Sequence, residues 1–379
     1  MSGRSAISQY LTDLTETEVT RLVRRSLDSS TVHITTWETE PIASGRSGAS
    51  VYRLSGMCKD GETAFPWSLI LKFCTNVRRF HVEHDADDLS WQREYLLGQS
   101  GLLSDQTPGL TPAQYIDGIV LSPTEIAIWF EDVGSAWARD WSLERYGLAA
   151  FHLGQFSARF AGRPPQLPWL GRNQWPEYVE AFCPGAVESL RKHQDHPGVL
   201  AVYPAALQTR LYALNEACDD LISRAQAQSS MTLSHGDAGG RNLFDRGGET
   251  VAIDWDEVGI SPVGEDVARM VGSSLHWFFI GKMDQAPALA DLVLTRYLEG
   301  LQDGGFRQDP STVACVIKAV LGTIYALSYT GIANGIVEDR IEQRARDAYQ
   351  TTGPQLLEHM GAIAQFCAGQ ADEARALLK

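Results

Sequence analysis

Apolar and polar positions follow one rhythm over about the first 130 residues of this chain and another beyond them. Leu14-Thr15-Glu16-Thr17-Glu18-Val19 has the form of a capping box. Thr15 is placed as N-cap and Glu18 at the third helical position, with Leu14 and Val19 set for a hydrophobic staple, so a helix to about Leu27 is expected. Residues 32–73 carry the short β-like runs VHITTWETEPI, SVYRL and WSLILKFC between Gly- and Ser-containing turns, which predicts an antiparallel meander. LSWQREYLL returns to helical spacing, and AQYIDGIVLSPTEIAIWF supplies two more strands around a turn.

After EDVG the helical period takes over. SLERYGLAAFHLGQFSARFAG, PAALQTRLYALNEACDDLISRA, APALADLVLTRYLEGL, PSTVACVIKAVLGTIYALSYTGIA and RIEQRARDAYQTTGPQLLEHMGAIAQFCA are all long enough for helices, with apolar residues at i, i+3 and i+4. The one β-like interruption is LSHGDAGGRNLFDRGGETVAIDWDEVG, residues 233–259. The pattern predicts an α+β protein: a small antiparallel-sheet lobe over 1–132 and a larger, mainly helical lobe over 133–379, joined closely near 130–134.

Composition narrows what such a protein can do. The 379 residues hold 32 Lys and Arg against 47 Asp and Glu, a net charge of -15. This repels phosphate backbones, so a nucleic-acid partner is not expected, while a cationic ligand would be attracted. The six cysteines are scattered without a CxxC pair, which argues against a zinc site or disulfide framework and points to a reducing, cytoplasmic compartment. MSGRSAISQYLTDLT lacks the apolar core of a signal peptide, and no stretch is expected to reach the roughly 18 apolar residues of a membrane span. A soluble chain with no membrane partner follows. The pairs His81/His84 and His193/His196 have i, i+3 spacing but lie among Asp, Gln or Pro, and FFIGKMD lacks Walker A spacing.

The β-like interruption carries the chemistry. NLF and TVAI flank the turn-forming DRGG, which predicts a hairpin with Asn242 at its entry, a second strand that ends at Asp254 at its exit, and Asp237 one loop earlier. Amide and carboxylate oxygens so placed suit magnesium, a hard cation that keeps positions for phosphate oxygens. His235-Gly236-Asp237, four residues, Asn242, then Ile253-Asp254-Trp255 fits the catalytic-loop pattern H-R-D-x-x-x-x-N followed by a metal-binding Asp, with Gly in place of Arg. His235 is expected to pack and orient this loop.

HGDAGGRN, AIDWDEVG and GEDVARM together resemble the aminoglycoside phosphotransferase and choline kinase family, small-molecule kinases of the protein-kinase-like fold. The resemblance implies a bilobal protein-kinase-like architecture, ATP or GTP, Mg2+ and a small-molecule alcohol substrate. It implies that Asp237 is catalytic, that Asn242 and Asp254 hold the metal, and that Asp266 braces the catalytic loop.

A kinase-like site needs a lysine on the third strand, and SLILK offers Lys72, sharing a face with Ile70 while Leu69, Leu71 and Phe73 share the other. Glu94 on the following helix, with Trp91 and Leu97 on its face, is the expected partner, and Glu83 competes. Gly45, Ser47 and Gly48 in IASGRSGASVYRL would let backbone amides approach phosphate, although a full G-x-G-x-x-G is absent. Phe130, Glu131 and Val133 match the family's interlobe hinge, whose backbone would read a purine edge. Asp256 and Glu257 could meet an amino group on an aminoglycoside-like or other amino-alcohol or sugar acceptor. The competing reading is a catalytically silent nucleotide-binding pseudokinase that serves as scaffold or sensor.

Overall fold

The computed structural model describes residues 6–44, 50–76, 89–103, 109–135, 138–172, 174–280 and 283–379. These fall into two compact units, Met1–Gln106 with Thr111–Ser135 and Ile253–Asp256 in one, and the rest of the chain in the other. Where a single boundary after residue 132 was expected, the short segment Ile253–Asp256 clusters with the first unit.

The first unit is built on a five-stranded antiparallel sheet. Its strands His33–Ser44, Ser50–Asp60 and Thr63–Thr75 follow one another, then come Glu125–Glu131 and, at the edge, Tyr115–Ser122. Alternation divides the side chains between two faces. On one face Leu69, Leu71, Phe73, Ala127 and Trp129 pack with Val19, Leu22 and Val23 of the helix Glu16–Ser26. That helix starts as its sequence predicts: the Thr15 side chain accepts from the Glu18 amide at 3.3 Å, and Leu14 and Val19 are both buried. On the other face Cys74, Ile126 and Ile128 pack with Trp91, and Phe130 and Tyr115 join them. Trp91 leads into the helix Arg93–Ser100, which ends at Gly101 in the left-handed conformation.

The second unit is mainly helical. Leu143–Phe160 packs along Ala286–Asp303, and Pro310–Val320 along Gly353–Leu377. The stretch read as one helix from 204 divides into Ala205–Glu216 and Cys218–Gln228, because the Ala217 amide is shared between the carbonyls of Ala213 and Leu214 and tightens the turn. A second break falls at Gln350, which takes a φ of 54° before Thr352 caps the helix Gly353–Leu377. The helix Gln174–Lys192 was not anticipated, since the internal Pro184 masks its period.

Pro310–Val337 corrects the expectation about membrane-spanning length: it is long and apolar enough by composition to span a bilayer. It is a core segment, with 78% of the apolar window buried, and it is broken by a π-helical turn at Leu321–Ala326. Its apolar character fills the interior between helices.

Two small β elements frame the candidate site in this unit. Met231–Ser234 pairs antiparallel with Gly259–Pro262, which also pairs with Gly171–Arg172. Leu243–Arg246 and Glu249–Ala252 form a hairpin, turning at Gly247 and Gly248 with φ of 59° and 98°, the geometry of a tight primed turn; its second strand stops at Ala252 rather than at the expected Asp254, whose φ of 61° leaves the extended conformation.

Candidate active site

In the first unit, strand alternation puts Lys72 on the Trp91 face of the sheet, where the helix Arg93–Ser100 brings Glu94. Lys72 Nζ lies 2.5 Å from Glu94 Oε2 and also pairs with Asp254 Oδ1. Lys72 and Glu94 are buried, and the second Glu94 oxygen accepts the Trp255 amide at 3.1 Å, which ties the acidic segment to the helix. Burial alone would favour neutral Lys72. The carboxylates of Asp254 and Glu94, with Asp256 behind them, outweigh it and hold the ammonium well above its ordinary pKa. The same pocket pushes the Cys74 thiol up to about 12 through burial. Asp254 adopts a φ of 61°, an uncommon conformation for a residue with a Cβ and a form of strain that recurs at functional sites.

Asp256 is buried and Glu257 half-buried. Asp256 acts on Lys72, while Glu257 receives the Gln174 amide on its carboxylate at 2.8 Å and on its carbonyl at 2.7 Å. Of the hinge residues, Phe130 packs edge-on against Tyr115. The Glu131 amide donates to the Gln114 carbonyl at 3.1 Å, and the Glu131 carboxylate accepts from the Gln114 amide at 2.9 Å. The Glu131 N–H is therefore paired with the neighbouring segment. Val133 follows the residue that fixes the segment, Asp132, whose carboxylate accepts from Arg53 at 2.7 Å, Ser68 at 2.6 Å and the Gly134 amide at 3.0 Å. Burial opposes that charge, but these donors together lower its pKa. Gly45, Ser47 and Gly48, and the competing Glu83, lie outside the described residues.

In the second unit the catalytic-loop motif leaves the strand Met231–Ser234. Asp266, in the first turn of the helix Glu265–His276, accepts the His235 amide at 2.8 Å, the Gly236 amide at 3.0 Å and the Ser234 hydroxyl at 3.3 Å. Gly236 has a φ of 83°, and a Cβ there would lie 1.9 Å from the Glu257 carbonyl oxygen, so only glycine fits. His235 is buried and its Nδ1 accepts the Asp237 amide at 3.2 Å, which assigns the ring proton to Nε2. Asn242 donates Nδ2 to the Asp237 carbonyl at 2.8 Å and to Asp237 Oδ2 at 3.0 Å. The Gly240 amide is held by Ser273 Oγ at 3.2 Å. The loop is thus pinned on both sides of an exposed Asp237.

Asn242 in the second unit and Asp254 in the first each carry an oxygen of the kind a hard divalent cation takes. With its amide nitrogen spent on Asp237, Asn242 keeps its side-chain oxygen as an acceptor, and Asp254 carries a carboxylate already attracting a cation, Lys72. Magnesium needs only one or two such protein oxygens beside phosphate.

Several participants carry no local signal. Glu265 and Arg269 form a buried ion pair at 2.8 Å behind Asp237; their i, i+4 spacing in GEDVARM is the one clue the sequence holds. Tyr178 and Tyr325 reach the same neighbourhood from distant helical segments.

Solved structures share this fold at low identity. An amicoumacin kinase, hAmiN, in complex with AMP-PNP, Ca2+ and Ami matches with a TM-score of 0.51 at 14% identity over 95% of this chain and 96% of that one. Choline kinase from Cryptosporidium parvum Iowa II matches with 0.50 at 13% over 95% and 96%. An aminoglycoside phosphotransferase from Alicyclobacillus acidocaldarius matches with 0.55 at 14% over 91% and 90%. No curated protein sequence matches the chain significantly. The α+β architecture is therefore the protein-kinase-like fold of small-molecule kinases, and since residues 110–305, just over half of the chain, match the profile described as the phosphotransferase enzyme family, the chain belongs to that family.

Proposed function

We propose that this phosphotransferase moves the γ-phosphoryl group of a purine nucleoside triphosphate, ATP or GTP, to a hydroxyl of a small molecule, with Mg2+ and with Asp237 as the catalytic residue. The observation that carries the reading is the exposed Asp237 carboxylate on a loop whose amides at His235, Gly236, Asp237 and Gly240 are held by Asp266, His235 and Ser273. Such preorganisation fixes a reacting group without reorganisation cost in the transition state. Lys72, positioned by Glu94, would meet the α- and β-phosphates, and Asn242 and Asp254 would supply oxygens to the metal. When bound, a divalent ion withdraws charge from the phosphate oxygens. The AMP-PNP and Ca2+ named with the amicoumacin kinase support a triphosphate and a divalent ion here.

In this reaction the acceptor hydroxyl donates a hydrogen bond to Asp237, which aligns the oxygen with the γ-phosphorus. As the new P–O bond forms, the bond to the β-bridging oxygen breaks and the diphosphate leaves with its electron pair. The hydroxyl proton passes to Asp237 and then to solvent. Lys72, Asp237, Asn242 and Asp254 are all present, whereas the scaffold alternative calls for the loss of one of them.

Asp237→Asn tests the reading, because it keeps the shape and the Asn242 contact while removing the carboxylate. Turnover of a confirmed acceptor should fall by about 10²–10⁴-fold. The thermal stabilisation by ATP or GTP with magnesium, about 2.7 kcal/mol at 100 times the dissociation constant, should stay. Equal turnover by wild type and variant would remove Asp237 from the mechanism.

A further inference from the structure

The second unit presents a surface beside Asp237 that phosphoryl transfer itself does not use. On the helix Glu265–His276, positions i, i+4 and i+8 share a face, and Glu265, Arg269 and Ser273 occupy them. Ser273 binds the Gly240 amide, so this face lies against the catalytic loop. Arg269 keeps only 7% of its surface exposed. Its Nε and Nη2 donate to a single Glu265 oxygen at 3.0 and 2.8 Å, which uses two of the five N–H donors of a guanidinium. Among the described residues the other three make no hydrogen bond, and the guanidinium carbon sits 5.7 Å from the Tyr178 ring centre.

Aromatic rings continue from there. Tyr178 lies 4.6 Å from Phe182, Tyr325 donates its hydroxyl to the Arg269 carbonyl at 3.2 Å, and Tyr329 stacks on His276 at 3.9 Å. Burial opposes the Arg269 charge, but Glu265, Tyr325 and Asp237 together outweigh it, so the cation and the Asp237 carboxylate share one neighbourhood. Of the other nearby carboxylates, Glu265 is engaged by Arg269, Asp266 by loop amides and Glu257 by Gln174, which leaves Asp237 as the exposed one. The net charge of -15 thus has no concentrated counterpart among these residues.

We infer that the acceptor alcohol carries an aryl ring and a carboxylate, the carboxylate received by the remaining donors of Arg269 and the ring by Tyr178 and Phe182. The inference rests on the phosphotransferase reading of Asp237 and names the acceptor class. A guanidinium fork matches a carboxylate in plane, and offset aromatic contacts favour a flat ring over a hydrated polycation, which would meet the like charge of Arg269.

Four probe alcohols separate the two features: 4-(hydroxymethyl)benzoate has both, benzyl alcohol has the ring, 3-hydroxypropanoate has the carboxylate, and an aliphatic polyamine alcohol has neither. Binding by calorimetry and turnover by nucleoside diphosphate release are measured for each with the 379-residue protein. Expected are tightest binding and lowest KM for 4-(hydroxymethyl)benzoate. Phe182→Ala, at a side chain 37% exposed, should raise KM for the two aryl probes by about 2–10-fold. Arg269→Lys keeps a charge for Glu265 but loses the fork, and should raise KM about ten-fold or more for the two carboxylates while sparing benzyl alcohol. A merely structural Arg269 would lower kcat for all probes alike. Preferred turnover of the polyamine alcohol, or variants that do not discriminate among probes, would overturn the acceptor class while keeping the activity. Binding of 4-(hydroxymethyl)benzoate with phosphorylation of no alcohol would overturn the activity while keeping the site.

Discussion

Asp266→Asn should loosen the catalytic loop without touching a reacting atom. The carboxylate takes three donors, the His235 and Gly236 amides and the Ser234 hydroxyl. An asparagine keeps one acceptor oxygen and turns an NH2 toward one of the amides. Ser234 can adapt, since a hydroxyl also accepts, but the His235 or Gly236 amide is left buried against another donor. A lost hydrogen bond to a charged group costs about 1.5–3 kcal/mol, and removal of a negative charge from the first turn of a helix about 0.3–1 kcal/mol more. The sum is about 2–4 kcal/mol, read as a lower urea midpoint with an unchanged slope. Because the loop carries Asp237, a displacement of about 1 Å should also lower turnover by about 10²-fold. Isothermal denaturation and steady-state kinetics on the same preparation check both. A variant within 0.5 kcal/mol of wild type at full turnover would refute the view that Asp266 organises the loop.

Other sites give sharper single readouts. Gly236→Ala must move the Glu257 carbonyl or the loop, since its Cβ would fall 1.9 Å from that oxygen, and kcat should drop by about 10²-fold or more while nucleotide binding persists. Lys72→Met leaves Glu94 buried without its cation, which should destabilise by about 3–5 kcal/mol and weaken nucleotide binding. Since the folded-state pKa of Lys72 lies above 10.5, the stability it contributes is fully present below pH 10.5 and lost only as pH rises through the folded value. His152, buried beside Thr250 with Arg145 and Arg296 nearby, is lowered from 6.5 to about 4, first by burial and then by those charges. The unfolded chain therefore binds a proton that the folded one refuses, and stability should fall as pH drops from 6.5 to about 4. His152→Gln should flatten that part of a denaturation-midpoint profile.

Local order was written in the sequence wherever one short segment supplies its own partners. Thr15, Glu18, Leu14 and Val19 start a helix within six residues, and the alternation of SLILK assigns Lys72 to one face and Leu71 to the other before any neighbour is known. The 235–254 stretch likewise shows its donors and its turn, because Gly247 and Gly248 are the residues such a turn demands. Tertiary packing decided the rest. That Glu94 meets Lys72, that Asp256 is buried, and that the run beginning at 205 breaks at Ala217 follow from contacts that no local period encodes. Arg269 shows the division most clearly. Its spacing from Glu265 sets a helical pair, but its place beside Tyr178 and Tyr325, 91 and 56 residues away along the chain, exists only once the helices close around them. Side-chain period is fixed by backbone geometry and is local, whereas partners far apart in sequence are selected by the burial and charge pairing of the assembled core.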